Sequence, residues 1–190
     1  MMDALTVLKT RRSIRRFTQE PIAPEKLAQI MECARFYPTA ANLQPLKFAL
    51  LTDGRAKEAL AHLRWAGYLP GYRMEEGDLP TALILILGDK SIVKDHQFSA
   101  GAAANQIMLA AHSLDVATCC LGMSDKTRGI VLEMLNLNPD RFDAICFVAL
   151  GNSIQTSVAV DLEESCKYWL DENENFLVPK RTVDEIFLQV

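Results

Sequence analysis

Read by periodicity, the chain predicts one α/β domain whose sheet is largely parallel. Three observations carry that reading. A half-buried helical pattern, Leu27, Ile30, Met31 and Ala34, follows Pro24. An unbroken apolar run, 82–87, has the character of a strand buried on both faces. A long alanine-rich helix, about 98–114, comes next, and helices and strands alternate through the rest of the chain. With 190 residues, 49% of them hydrophobic and 23% charged, one core can form without help from disulfides or metals.

The elements follow in order. A first helix is expected over 4–9, capped by Asp3, with Leu5 and Leu8 on one face. Pro24 suits the first turn of the second helix, and Pro38 stands just past its end. A strand over 48–52 and a polar helix over 55–63 follow. Residues 65–80 hold three Gly and two Pro and read as a loop or lid, with Trp65, Tyr68 and Tyr72 in it. The 98–114 helix is expected to be central and buried, its alanines allowing close approach. A strand near Thr118, a helix over 126–135 and a strand over 144–150 complete the core. Residues 152–178 are acidic and weakly periodic. Thr182 and Glu185 then have capping-box spacing, which predicts a last helix over 183–188. An arm of this kind often docks somewhere other than its own core.

Composition excludes several classes of function. The net charge is -4, against a broad nucleic-acid surface. No apolar stretch is long enough to span a membrane, and nothing reads as a signal peptide, so a cytoplasmic protein is expected. The five cysteines (Cys33, Cys119, Cys120, Cys146 and Cys166) show no CxxC or Cys/His grouping and read as reduced thiols, with no metal site. A redox pair at Cys119 and Cys120 would be strained. His62, His96 and His112 are not clustered; His112 reads as a packed or edge histidine.

Four short constellations can carry chemistry. The first, Arg11-Arg12-Ser13-Ile14-Arg15-Arg16-Phe17, offers guanidinium forks and a hydroxyl suited to phosphate, although a solvated turn would look the same. The second, Tyr37-Pro38-Thr39-Ala40-Ala41-Asn42-Leu43-Gln44-Pro45, places small residues and paired amides between two prolines, fit for the edge of a flat heterocycle or for an ordinary polar loop. The third, Cys119-Cys120-Leu121-Gly122, ends a strand on a glycine that can present a backbone N–H. The fourth, Val178-Pro179-Lys180-Arg181, adds two cations at the far end of the chain. In an acidic protein, such local basic clusters point to a small anion.

In their order and combination, these features resemble the FMN-dependent nitroreductase superfamily over nearly the whole chain, and the short members most of all. The resemblance implies an α+β fold instead of a parallel one: a three-layer arrangement, its mostly antiparallel sheet flanked by helices, in an intertwined homodimer with an exchanged C-terminal arm. Residues 1–190 would form a single FMN-binding domain, with 152–190 as the arm on the partner subunit. It implies that Arg11 and Ser13 bind the FMN phosphate and ribityl chain. Arg12 and Arg15 would lie along the phosphate or the pyrimidine ring. Pro38, Thr39, Ala40, Asn42 and Gln44 would line the ring from the partner, and Cys120, Leu121 and Gly122 would bring a backbone N–H to flavin N5. Lys180 and Arg181 would close the phosphate site. No protein acid or base is implied, because the flavin performs the chemistry. NADH or NADPH would deliver hydride to N5, and a nitroaromatic, quinone or similar acceptor would take the electrons in a ping-pong scheme.

The chain departs from the family pattern in two places. Leu46 stands where many members carry an aromatic residue, and residues 64–78 show no match to the usual polar flavin contacts. Two other readings stand beside the leading one: a flavin-binding redox sensor or FMN storage protein with little turnover, and a specialised relative of the deiodinase-like or flavin-cleaving kind.

Overall fold

A computed structural model of the chain describes residues 2–69 and 71–188. Its core is a four-stranded sheet in the order β1-β2-β4-β3, built from β1 (Leu46–Leu51), β2 (Ala82–Asp89), β3 (Ala117–Gly122) and β4 (Phe142–Gly151). Every neighbouring pair is antiparallel. The parallel sheet expected from periodicity is therefore corrected to an α+β fold, as the resemblance implied. The reason lies in the connections. Helix α4 (Gln97–Ser113) is about 25 Å long, enough to return along the full length of β2. It joins β2 to β3, which do run in the same direction, but β4 inserts between them. Helices α3 (Gly54–Leu60) and α5 (Asp125–Met134) are too short to cross the sheet, so the strands they join, β1 with β2 and β3 with β4, run antiparallel.

All eight residues of β2 are buried, and alternation divides them between two cores. Ile84 and Ile86 pack with α4 and with helix α2 (Pro24–Ala34), whereas Leu83, Leu85 and Leu87 pack with α3 and α5. That yields three layers. Several helix starts match their sequence signals. Asp3 caps α1 (Ala4–Thr10), Pro24 opens α2, and Ser124 caps α5 through the Thr127 N–H. Helix α4 departs from expectation. Ser99, Ala100, Ala103, Ala104, Ile107 and Ala111 are buried, but its other side lies open and Phe98 is 81% exposed. Within one chain it is half-buried, not central.

The arginine segment is laid across the end of this sheet. Ser13 bridges Thr118 of β3 and Phe17 bridges Ser153 just beyond β4. Phe17 is fully buried, its ring so close to Gly151 that an added Cβ would lie 2.7 Å from Cδ1. Glycine is required there for space.

Beyond β4 the chain forms an element that weak periodicity did not predict: a small sheet in the order β5-β7-β6, from β5 (Ser157–Asp161), β6 (Trp169–Leu170) and β7 (Phe176–Lys180). It packs on its own chain through fully buried Phe176, whose ring meets Tyr72 (5.9 Å) and Tyr168 (5.5 Å), while Tyr168 meets Tyr68 (5.3 Å). The loop expected as a lid is thereby pinned to the tail. Helix α6 (Val183–Ile186) has the capping box predicted for Thr182 and Glu185 but ends before Leu188.

Gly151→Ala should destabilise the protein by about 1–3 kcal/mol through overpacking against Phe17, read as a lower urea midpoint; an unchanged midpoint would show that Phe17 yields freely. Phe176→Ala should cost about 3–5 kcal/mol and expose 65–80 to limited proteolysis, whereas cleavage no faster than in the parent would mean that the tail does not hold this loop.

Candidate cofactor site

Arg11 and Arg12 leave the C-terminal end of α1 beside the start of β3, and β7 brings Lys180 to the same place. Arg12 folds back on the helix end, donating to the carbonyls of Arg11 (2.7 Å) and Lys9. Those carbonyls are the negative end of the helix and favour a cation. Burial and then Arg11 push the Arg12 guanidinium below its ordinary value. Burial and then the charges of Arg12 and Arg11 do the same to Lys180. Among the described residues, none of these three cations forms an ion pair. Three mutually repelling cations, none paired with a carboxylate, make a site for an anion.

The other predicted cations are committed elsewhere. Arg15 donates Nε–H to the Trp65 carbonyl (2.7 Å), and its guanidinium lies over Phe176 (4.6 Å) and Tyr168 (5.0 Å). Arg16 pairs with Asp78 and Glu174. Arg181, just ahead of α6, turns to Glu185 of that helix at 3.7 Å. Ser13 lies on β3, where its hydroxyl meets the Cys119 thiol; burial raises that thiol to about 11.

Strand β3 is an edge strand, and Ser13 occupies only the beginning of its outer side. Cys120, Leu121 and Gly122 continue along that edge, roughly 7–13 Å from the bridge. The Leu121 side chain is buried, so this stretch offers backbone and the exposed Cys120.

Pro38, Thr39, Ala40, Asn42 and Gln44 are not brought to the cations within one chain. Their loop enters β1 at Leu46, which pairs with Gly88, and Pro45 accepts from the Asp89 N–H. The cations sit at the other end of the sheet, where Thr118 pairs with Leu150 and Leu150 with Ala82. Strand lengths and spacings put the two about 25 Å apart. The loop is exposed and strained: Ala41, Asn42 and Gln44 have φ of 48°, 55° and 49°. For residues with a Cβ, such angles cost of order 1–3 kcal/mol each, and they occur where function holds the backbone. Buried Tyr37 anchors the loop: its hydroxyl oxygen accepts from the Leu46 N–H at 3.1 Å.

Sequence reasoning missed the surroundings of the cations. A cleft of about 290 Å³ beside Arg11 and Arg12 is lined also by Thr10, His112, Ser153 and Thr156, with one carboxylate, Asp115, on its His112 side. Thr10 donates its only hydroxyl proton to the Thr6 carbonyl, so in its 2.9 Å contact with His112 the imidazole Nε2–H is the donor. Burial and then Arg11 hold His112 below the usual histidine value. Only the approach of α4 to α1 reveals this position.

The model of the Nitroreductase family matches residues 8–152, from the arginine segment through β4. A protein of Methanothermobacter thermautotrophicus described as an NADH dehydrogenase/NAD(P)H nitroreductase is 29% identical over 135 residues, covering 68% of this chain and 67% of that one. The FMN reductase [NAD(P)H] of Bacillus subtilis is 26% identical over 151 residues, covering 72% of this chain and 61% of its own length. Among solved structures, a protein of Desulfovibrio desulfuricans described as a nitroreductase in complex with FMN superimposes with a TM-score of 0.75 at 25% identity, covering 100% of this chain and 98% of that one. With its fold, its arginine segment and its glycine-ended edge strand all inside the matched region, the chain belongs to the Nitroreductase family.

Proposed function

We propose that this chain is an FMN-dependent NAD(P)H oxidoreductase that works as a homodimer. The observation that carries the reading is the convergence of Arg11, Arg12 and Lys180, none of which is held in an ion pair among the described residues. A flavin phosphate, close to a dianion at neutral pH, fits that donor set. When bound, FMN supplies hydride acceptance from NADH or NADPH and electron delivery to a nitroaromatic, quinone or similar acceptor in a ping-pong cycle.

The chain's own residues bind and orient. Arg11, Arg12 and Lys180 would hold the phosphate, and Ser13 the adjoining chain. The β3 edge at Cys120, Leu121 and Gly122 would offer backbone N–H to the ring. Arg15, whose Nε–H is taken by Trp65, would turn its remaining N–H groups toward the polar side of the ring, and Arg181, paired with Glu185, would flank the phosphate. The strained loop, with Pro38, Thr39, Ala40, Asn42 and Gln44, would come from a second copy of the chain. Residues 1–190 then form one FMN-binding domain. Of the 152–190 arm, the small sheet packs at home, while Val183, Ile186, Phe187 and Leu188 remain exposed and are the side chains to seat on the partner. The family's fold, the acidic balance and the absence, among the described residues, of a helix able to cross a membrane agree with a cytoplasmic enzyme on small molecules.

An absorbance spectrum before and after NADH or NADPH under nitrogen tests this. Flavin bands that bleach are expected, and the nicotinamide that bleaches them is the donor. Bands that persist would favour a sensor or storage protein, and no flavin after incubation with FMN would end the proposal. Arg11→Ala should weaken FMN binding by about 1.5–3 kcal/mol, roughly 10- to 150-fold in Kd by fluorescence quenching. Undiminished affinity would remove Arg11 from the phosphate site.

A further inference from the structure

We propose that Cys120 and Cys146 form a peroxide-sensitive thiol pair, in which Cys120 attacks and Cys146 closes a disulfide with it. The inference does not depend on the oxidoreductase reading, although Cys120 lies on the strand edge which that reading gives to the ring. It begins with register. Cys120 lies opposite Val148 and Gly122 opposite Cys146, so the two cysteines share one face of the sheet as diagonal neighbours on adjacent strands. Cys119, next in sequence, points to the opposite face and is buried there, which removes the neighbouring-cysteine pair that the sequence offered.

Three features favour reaction at this pair. Cys120 is exposed, whereas Cys146 is partly covered by the core on the α4 side. The residue directly across from Cys146 is Gly122, and a Cβ there would meet nothing within 4 Å, so the flank of the pair is open to a small oxidant. The Cys146 thiol donates to the Cys120 sulfur, and this bond, with the Arg11 charge nearby, holds Cys120 below the usual thiol value while Cys146 is held above it. The thiolate is the nucleophile, so the division of roles follows. Diagonal neighbours have Cα atoms about 7–8 Å apart, just beyond the roughly 7 Å a disulfide spans, so closing the bond requires the backbone to move. Strand β3 is paired on one side along this stretch and can move the remaining distance.

The chemistry balances with a hydroperoxide as oxidant. The Cys120 thiolate attacks one peroxide oxygen; the S–O bond forms, the O–O bond breaks, and the leaving oxygen departs as water or alcohol after taking a proton. The sulfur loses two electrons and becomes a sulfenic acid. Cys146 then gives up its proton and displaces the hydroxyl, forming the S–S bond and releasing water. With hydrogen peroxide, two thiols and one peroxide give one disulfide and two waters.

The test is to treat the protein as purified with a small excess of hydrogen peroxide and to follow its intact mass and peptide map. Expected is a loss of two hydrogens, reversed by dithiothreitol, with a Cys120–Cys146 linked peptide. In Cys146→Ser that loss should vanish, and Cys120 should instead gain one oxygen in a form trapped by dimedone. A linkage to another cysteine, or over-oxidation of Cys120 in the parent as fast as in the variant, or thiols left untouched, would each overturn the proposal. The peptide map of the parent decides the matter even where the variant folds poorly.

Discussion

The ring of Phe17 rests on the backbone of Gly151, and the positions of the cations descend from that contact. Its burial fastens residues 13–17 across the ends of β3 and β4. Arg11 and Arg12 are then delivered to the edge of the sheet, where α1 ends, and the Arg12 guanidinium satisfies carbonyls that the helix leaves open. Arg15 and Arg16, two and one residues before the anchor, are carried instead toward the aromatic cluster and toward Asp78. A side chain at residue 151 would lift the ring and loosen all four arginines together.

The basic cleft is an electrostatic cost that other contacts support. Lys180 belongs to β7, which is joined to β5 in parallel and held down by buried Phe176. Apolar burial in the tail thus forces a third cation toward two others. A dianion bound there would relieve the repulsion, and the stability of the tail and the affinity of the proposed site would then be linked through Phe176. His112, on the last turn of α4, adds a neutral donor without raising the charge further.

The two regions that the proposed function gives to the flavin lie at opposite ends of one chain's sheet. The cations and the open β3 edge lie at one end, and a strained, exposed loop lies at the other. Backbone strain at Ala41, Asn42 and Gln44 has no return within the chain, where the loop touches little besides its own Tyr37 anchor. The open side of α4 with Phe98, Leu5 and Leu8 of α1, and the apolar end of α6 are likewise uncovered. Exposed apolar surfaces of this kind are suited to the twofold pairing that the proposed function calls for.

The sequence by itself determined most element positions and the ingredients of the site. Caps, prolines and apolar spacing act within a few residues, so Asp3, Pro24 and the Thr182–Glu185 box could be read directly. The tail sheet could not, because its short strands are half-exposed and scarcely alternate. Nor does alternation encode strand direction: the insertion of β4 between β2 and β3 depends on helix lengths and on burying both faces of β2. Four arginines in a row look alike as sequence. Only tertiary packing divided them, because whether a guanidinium meets a cation, a carboxylate or an aromatic ring depends on chain segments up to 170 residues away. The same holds for Cys120, whose partner is the residue across the ladder and not the one beside it.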